Sequence, residues 1–349
     1  MQPAQYRPLS VSQNFLHRHA LVDRLLDASS IRAGDLVFDL GAGRGLITDR
    51  LAHRGCRVVA VEKDLELATR LHARFDNAPA VHVRHADMLT MPFPRRPYKV
   101  FANIPFNPTA AIVHRLTQAR HPPEDSYLVV QAEPAERFTG QPRGTLISTL
   151  LKPWFEPTLV HRFDRTDFAP PPRVDAVMLR LHKRGPPLVP SAQAGMYRDF
   201  VVSVFAGRQR LVRDTLGDLV GWQRARRVMA GLGLDPAATP SEVSFACWLD
   251  VFELFKAAAR QGMPPGVAGA ERRLLRQQRR LRKPHRTSSW SSSRTVIQCR
   301  PPPLTVCDSA SPILPRGCRA VGFRGSARPI VVVGAMDRSW RMRRPPQRP

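Results

Sequence analysis

Through the first half of the chain, short β-branched apolar runs alternate with amphipathic stretches. The runs are "LVFDL" (36–40), "RVVAV" (57–61), "AVHVRH" (80–85), "YKVFAN" (98–103) and "SYLVVQAE" (126–133). Between them apolar positions recur at helical spacing over 46–53, 65–75 and 109–119, and a first helix is predicted over 17–29. Strands separated by helices of this length need crossover connections, which build a parallel sheet buried on both faces. A doubly wound α/β domain follows.

The pattern then changes. "TLVHRFDR" (158–165) and "RVDAVMLRLH" (173–182) read as two late strands joined through "FAPPP", a connection too short for a crossover helix, so they should pair antiparallel. They bring the expected sheet to seven mostly parallel strands. "KRGPPLVPSAQAG" (183–195) reads as a Pro/Gly linker. Beyond it Phe200, Val201, Val204, Phe205, Leu211, Val212 and Leu216 fall at helical spacing, with further helical patterns over 221–232 and 241–257. The expected organisation is an α/β domain over 9–183, a small all-α domain over 195–257 and a disordered basic tail over 258–349. Within the tail, only a short Arg-rich helix over 271–282 suggests itself.

Charge adds a partner class. The 349 residues hold 54 Lys and Arg against 28 Asp and Glu, a net +26, which points to a polyanion. The excess is uneven: 258–349 alone carry 20 Lys or Arg and 3 Asp or Glu. Only six of the basic residues are Lys. The five cysteines form neither a CxxC pair nor a zinc spacing with His, so no metal is expected. The first residues lack the apolar core of a leader, and no run approaches a membrane span. The expectation is a cytoplasmic monomer.

The candidate chemistry begins at "DLGAGRG" (39–45). A Gly-rich turn between a strand and a helix lets a ligand approach the backbone, but the spacing is GxGxG rather than the dinucleotide GxGxxG, whose third glycine position is Leu46 here. A cofactor without a pyrophosphate suits this turn. Gly41 and Gly43 let the ligand come close to the backbone, and Asp39 sits where a carboxylate can serve the amino-acid end of a cationic ligand. Glu62, closing the second strand, is placed to accept both hydroxyls of a ribose, and Asp87, after the third, to accept from the amine of an adenine. Three acids at successive strand ends are the signature of S-adenosylmethionine.

Directly after the fourth strand comes "ANIPFNP" (102–108). The lone pair of an adenine N6 is delocalised into the ring, and acceptors for its two hydrogens make the nitrogen pyramidal toward an incoming methyl group. The Asn103 side chain and the Ile104 carbonyl, held by Pro105, supply two acceptors. Phe106 supplies a face for the flipped base.

Together, "SQNFLHRHALVDRLL", "DLGAGRGLITDRLA", "VVAVEKD", "HADML", "ANIPFNPTAAIVHRL" and "FAPPPRVDAVMLRL" resemble the rRNA adenine N6-methyltransferases, and within them the erythromycin-resistance (Erm) branch. The resemblance covers roughly 9–257. It implies a Rossmann-like class I methyltransferase fold and methylation of one adenine in the peptidyl-transferase loop of 23S rRNA. It further implies that Gln13 and Asn14 close over the cofactor, that the Met88 backbone joins Asp87 at the adenine, and that Phe168 packs on the far side of the target base. Phe106 stands where many relatives have Tyr. Two alternatives stay open: a small-subunit rRNA dimethyladenosine transferase, against which "NIPF" in place of "NLPY" argues, and a methyltransferase-like transcription factor.

Overall fold

The computed structural model describes residues 14–105, 108–207 and 211–282. Gln13, Phe106 and residues 283–349 lie outside them.

The described chain opens with β1 (Phe15–Leu16) and α1 (His19–Asp27), then runs β2 (Leu36–Leu40), α2 (Leu46–His53), β3 (Arg57–Glu62), α3 (Leu65–Phe75), β4 (Val81–His85) and β5 (Lys99–Asn103). It continues with α4 (Thr109–Thr117), β6 (Asp125–Gln131), α5 (Ala132–Thr139), α6 (Leu146–Leu151), β7 (Phe155–Arg162), β8 (Phe168–Ala169) and β9 (Ala176–Lys183). Five helices follow: α7 (Ala194–Ala206), α8 (Val212–Val220), α9 (Trp222–Leu232), α10 (Phe245–Ala259) and α11 (Ala270–Arg282).

Seven strands form one sheet in the order β4-β3-β2-β5-β6-β9-β7. The five from β2 to β6 are parallel, while β9 is antiparallel to both neighbours, as the short connection through "FAPPP" demands. All five residues of β2 are buried, as in a sheet covered on both faces. Ile112, Val113 and Leu116 of α4 with Phe138 of α5 cover one face. The apolar stripe of α1, made by Leu21, Val22, Leu25 and Leu26, covers the other together with Ile47 and Leu51 of α2. The strand order reverses between β3 and β5 on either side of β2, and an open α/β sheet binds ligands at the carboxyl ends of strands flanking such a point.

Several elements depart from the sequence expectation. The run 126–133 ends as strand at Gln131, and α5 starts at the next residue. Pro134 falls in the first turn of α5, where its missing N–H breaks no helical bond. The ribbon formed by β1 and β8 has no counterpart in the hydrophobic pattern, and it lays Phe15 and Leu16 antiparallel to Ala169 and Phe168.

Contacts run across both expected domain boundaries. The segment 183–195 is pinned rather than free: Arg184 and Leu188 donate backbone N–H bonds to Trp154 and Pro153, and Val189 is buried in the helical core with Phe200, Trp248, Phe252 and Phe255. Leu146, Leu150 and Trp154 of the α/β part pack on that same core, and Tyr197 Oη donates to the Thr149 carbonyl. The folded chain does not stop at 257 either. Val267 and Ala270 are buried, Asp199 of α7 accepts from the Gly269 and Glu271 N–H groups that open α11, and Arg198 pairs with Glu271 at 2.9 Å.

Candidate active site

The carboxyl ends of β2, β3 and β5 bring the predicted residues together. Gly41 and Ala42 both donate to the Val61 carbonyl of β3, so the turn is tied to the strand that carries Glu62. Gly41 and Gly43 have positive φ, 77° and 56°, which L side chains rarely adopt. Their missing side chains also admit neighbours: a Cβ on Gly43 would lie 2.6 Å from the Phe15 ring, and one on Gly41 would lie 3.2 Å from the Met88 methyl and 3.6 Å from Pro105 Cδ. The glycine turn, the "ADM" segment and the "NIP" turn thus meet at one point.

Asp39 is buried at the base of the turn. Its Oδ2 accepts from Thr48 Oγ1 at 2.7 Å, while Oδ1 is buried with no hydrogen-bond partner. Removal from water pushes the carboxyl up to about 7, opposed by the Thr48 bond and reinforced by the nearby Glu62 charge. A buried carboxylate oxygen without a donor is costly, and the ammonium and sulfonium charges of S-adenosylmethionine would relieve that cost. The site therefore fits such a group.

This has a measurable consequence in the cofactor-free protein. The unfolded chain releases the Asp39 proton near 3.8 and the folded chain near 7, so between those values the folded state binds more protons and stability falls as pH rises. Asp39→Asn should remove that fall. Thermal melts from pH 4 to 8 should show the wild-type curve dropping relative to the variant, and parallel curves would contradict the assignment.

Glu62 is 3% exposed and more heavily engaged than its sequence position suggests. Oε1 accepts from the Lys63 and Asp64 N–H groups, at 2.8 and 2.9 Å, and Oε2 from the Gly43 N–H at 2.8 Å. A carboxylate offers about four acceptor positions, which leaves one for a ribose hydroxyl. Glu62 thus holds the turn in shape. Asp87 sits at the rim, its Oδ1 accepting from the Leu89 N–H and its Oδ2 2.9 Å from Lys63 Nζ. Those two bonds hold its carboxyl below the ordinary value.

Asn103 closes β5. Its Nδ2 donates to the Asn14 carbonyl at 2.7 Å, and because a carbonyl can only accept, this bond fixes which end of the amide is which. The Oδ1 is left as an acceptor. Ile104 is buried and donates its N–H to Val129 of β6, which holds the start of the turn against the sheet.

Phe168 is the site residue that the structure moves elsewhere. It is 2% exposed and its ring packs on Phe163, centroids 5.4 Å apart, within the core that also holds Leu16 and Phe101. A ring enclosed on all sides has no face for a base. Sequence reasoning also missed two residues. Phe15, adjacent to the motif residue Asn14, covers Gly43 with the Arg44 guanidinium 5.0 Å over its ring. Lys63, next to Glu62, anchors Asp87. Only adjacency in sequence pointed to either.

A glycine turn at the reversal point of a parallel sheet, with acids at successive strand ends and an Asn-Ile-Pro turn beside it, defines a class I methyltransferase. The chain belongs to the ribosomal RNA adenine dimethylase family, whose model matches residues 8–257. It is an S-adenosylmethionine-dependent rRNA adenine N6-methyltransferase. It is 38% identical over 255 residues to an rRNA adenine N-6-methyltransferase of Streptomyces fradiae, covering 70% of this chain and 78% of that one. It is 31% identical over 278 residues to the mycinamicin-resistance protein MyrB of Micromonospora griseorubida, covering 76% and 86%. The crystal structure of the 23S rRNA methyltransferase ErmE superposes with a TM-score of 0.65 at 30% identity, covering 70% of this chain and all of that one. Ribosomal RNA small subunit methyltransferase A of Synechococcus is 31% identical over 253 residues, covering 68% and 90%. No helix among the described residues is long and apolar enough to cross a membrane.

Proposed function

We propose that the substrate is 23S rRNA, that the target is one adenine in its peptidyl-transferase loop, and that the modification confers resistance to macrolide, lincosamide and streptogramin B antibiotics. The observation that carries the branch is the similarity to MyrB and ErmE, supported by "NIPF" at 103–106. Such an enzyme works in the cytoplasm, where its RNA is.

In this reading Asn103 Oδ1 and the Ile104 carbonyl accept the two hydrogens of the adenine N6, drawing its lone pair out of the ring. Pro105 fixes the turn through its restricted φ, and Phe106 offers the stacking face. Asp39, the Gly41–Gly43 turn, Glu62, Asp87 and the Met88 backbone hold the cofactor, with Gln13 and Asn14 closing over it. S-adenosylmethionine, when bound, supplies an electrophilic methyl group on its sulfonium. The amine sheds its proton once methylated, so no strong general base is needed.

Expression in a susceptible bacterium tests the consequence. The wild-type chain should raise the inhibitory concentration of a macrolide, and Asn103→Ala, present at equal abundance, should not. The small-subunit relatives support a second reading, in which the wild-type chain would leave macrolide susceptibility unchanged.

A further inference from the structure

Trp222 opens α9 and is 54% exposed, whereas Trp248 is buried and Trp154 half-buried. One face of its ring lies on Gly217 of α8, where a Cβ would be 2.8 Å from the ring carbons. A glycine inside a helix weakens it, and here its absent side chain is what lets the indole lie flat. Gly221, at φ 84° and ψ 145°, makes the turn that brings the ring back over α8.

The surroundings are cationic. Arg226 lies one turn from Trp222 on the same side of α9, and it and Arg227, further round the helix, are both exposed. Among the described residues neither makes an ion pair, while Arg224 donates to Gln261 Oε1 at 3.1 Å. α9 contains no acidic residue. Neither Arg226 nor Arg227 lies in the last turn of α9, where the helix dipole would favour a cation, so the dipole does not account for them. A seated π-face with, one helical turn away, an arginine that makes no ion pair among the described residues matches an unpaired base and its flanking phosphate.

We infer that Trp222, with Arg226, is a stacking platform for an unpaired base of the RNA outside the catalytic pocket. The inference rests on the substrate being RNA and does not depend on which rRNA is methylated.

The test measures binding of the full chain to two probes: an unpaired RNA strand of roughly 12 nucleotides and a hairpin carrying the peptidyl-transferase loop. Trp222→Ala should weaken binding roughly 5- to 100-fold at fixed salt, with the log-affinity against log-salt slope unchanged because no phosphate contact is lost. Trp222→Phe should retain most of the affinity. Trp222→Leu, which fills the seat without a π-face, should bind like Trp222→Ala. Arg226→Gln should reduce the salt slope by about one. During methylation, Trp222→Leu should raise KM for RNA and leave kcat unchanged. Wild-type affinity in Trp222→Ala, or equal binding by Trp222→Leu and Trp222→Phe, would show that the ring only covers Gly217. Unchanged RNA affinity with loss of a ribosomal-protein contact would likewise overturn the inference. If Trp222→Ala does not fold, the comparison of Leu with Phe decides. Because the unpaired strand carries no methylation target, methylation of 16S rather than 23S rRNA would refute the proposed substrate and leave this result standing.

Discussion

Asn103→Ala should lower kcat by about 10²- to 10³-fold, the scale on which a single preorganised polar group that acts on the transition state contributes, and should change cofactor affinity far less. The reason lies in the division of the amide. Its N–H end is taken by the Asn14 carbonyl, leaving Oδ1 for an amine whose hydrogens become more acidic as N6 turns pyramidal. An interaction that strengthens along the reaction is felt in turnover and only weakly in binding. Rapid-quench kinetics with saturating cofactor and RNA measure kcat directly, and calorimetry measures cofactor affinity in the same variant. Normal turnover would reduce Asn103 to a tie between β5 and the segment at Asn14. Loss of cofactor binding as large as the loss of turnover would point to that tie as well.

Ending the chain after Lys256 should unfold the helical domain, and ending it after Arg282 should not. The shorter truncation removes Val267 and Ala270 from the core, takes two backbone donors from Asp199, and breaks the pair between Arg198 and Glu271. Burial of one valine is worth about 2 kcal/mol and the two bonds to a carboxylate about 3 kcal/mol. That sum is a large share of the roughly 5 to 15 kcal/mol typical of a whole domain. Thermal unfolding of both truncations checks it: the longer should melt within a few degrees of the full chain, the shorter far below it. Equal melting temperatures would mean that α11 contributes nothing to the domain.

The same segment shows where periodicity stops being informative. In "QGMPPGVAGAERRLLR" two isolated small apolar residues enter the core, and the anchoring carboxylate comes from Asp199, some seventy positions earlier; no local pattern reveals such a pairing. The central strands are legible because a sheet covered on both faces demands continuous apolar runs, and each run reads as a strand to within a residue or two at most ends. α5 and α6 escape the pattern because one follows β6 without a break and the other is six residues long, too short for a helical period to show. In the site, the acids and the Asn-Ile-Pro turn are legible as residue types at strand ends. Their bonding is not. By type and position Glu62 reads as a ribose ligand, yet three of its acceptor positions serve backbone N–H groups. Phe168 is a stacking face only by the family resemblance, while the ribbon with β1 directs it into the core.

The most direct test of the central claim is nucleoside mass spectrometry with primer extension, on 23S and 16S rRNA incubated in one reaction with the full chain and S-adenosylmethionine. N6-methylated or N6,N6-dimethylated adenosine is expected at a single position in the peptidyl-transferase loop of 23S rRNA, with none added to 16S. Methylated adenosine confined to 16S rRNA would contradict it.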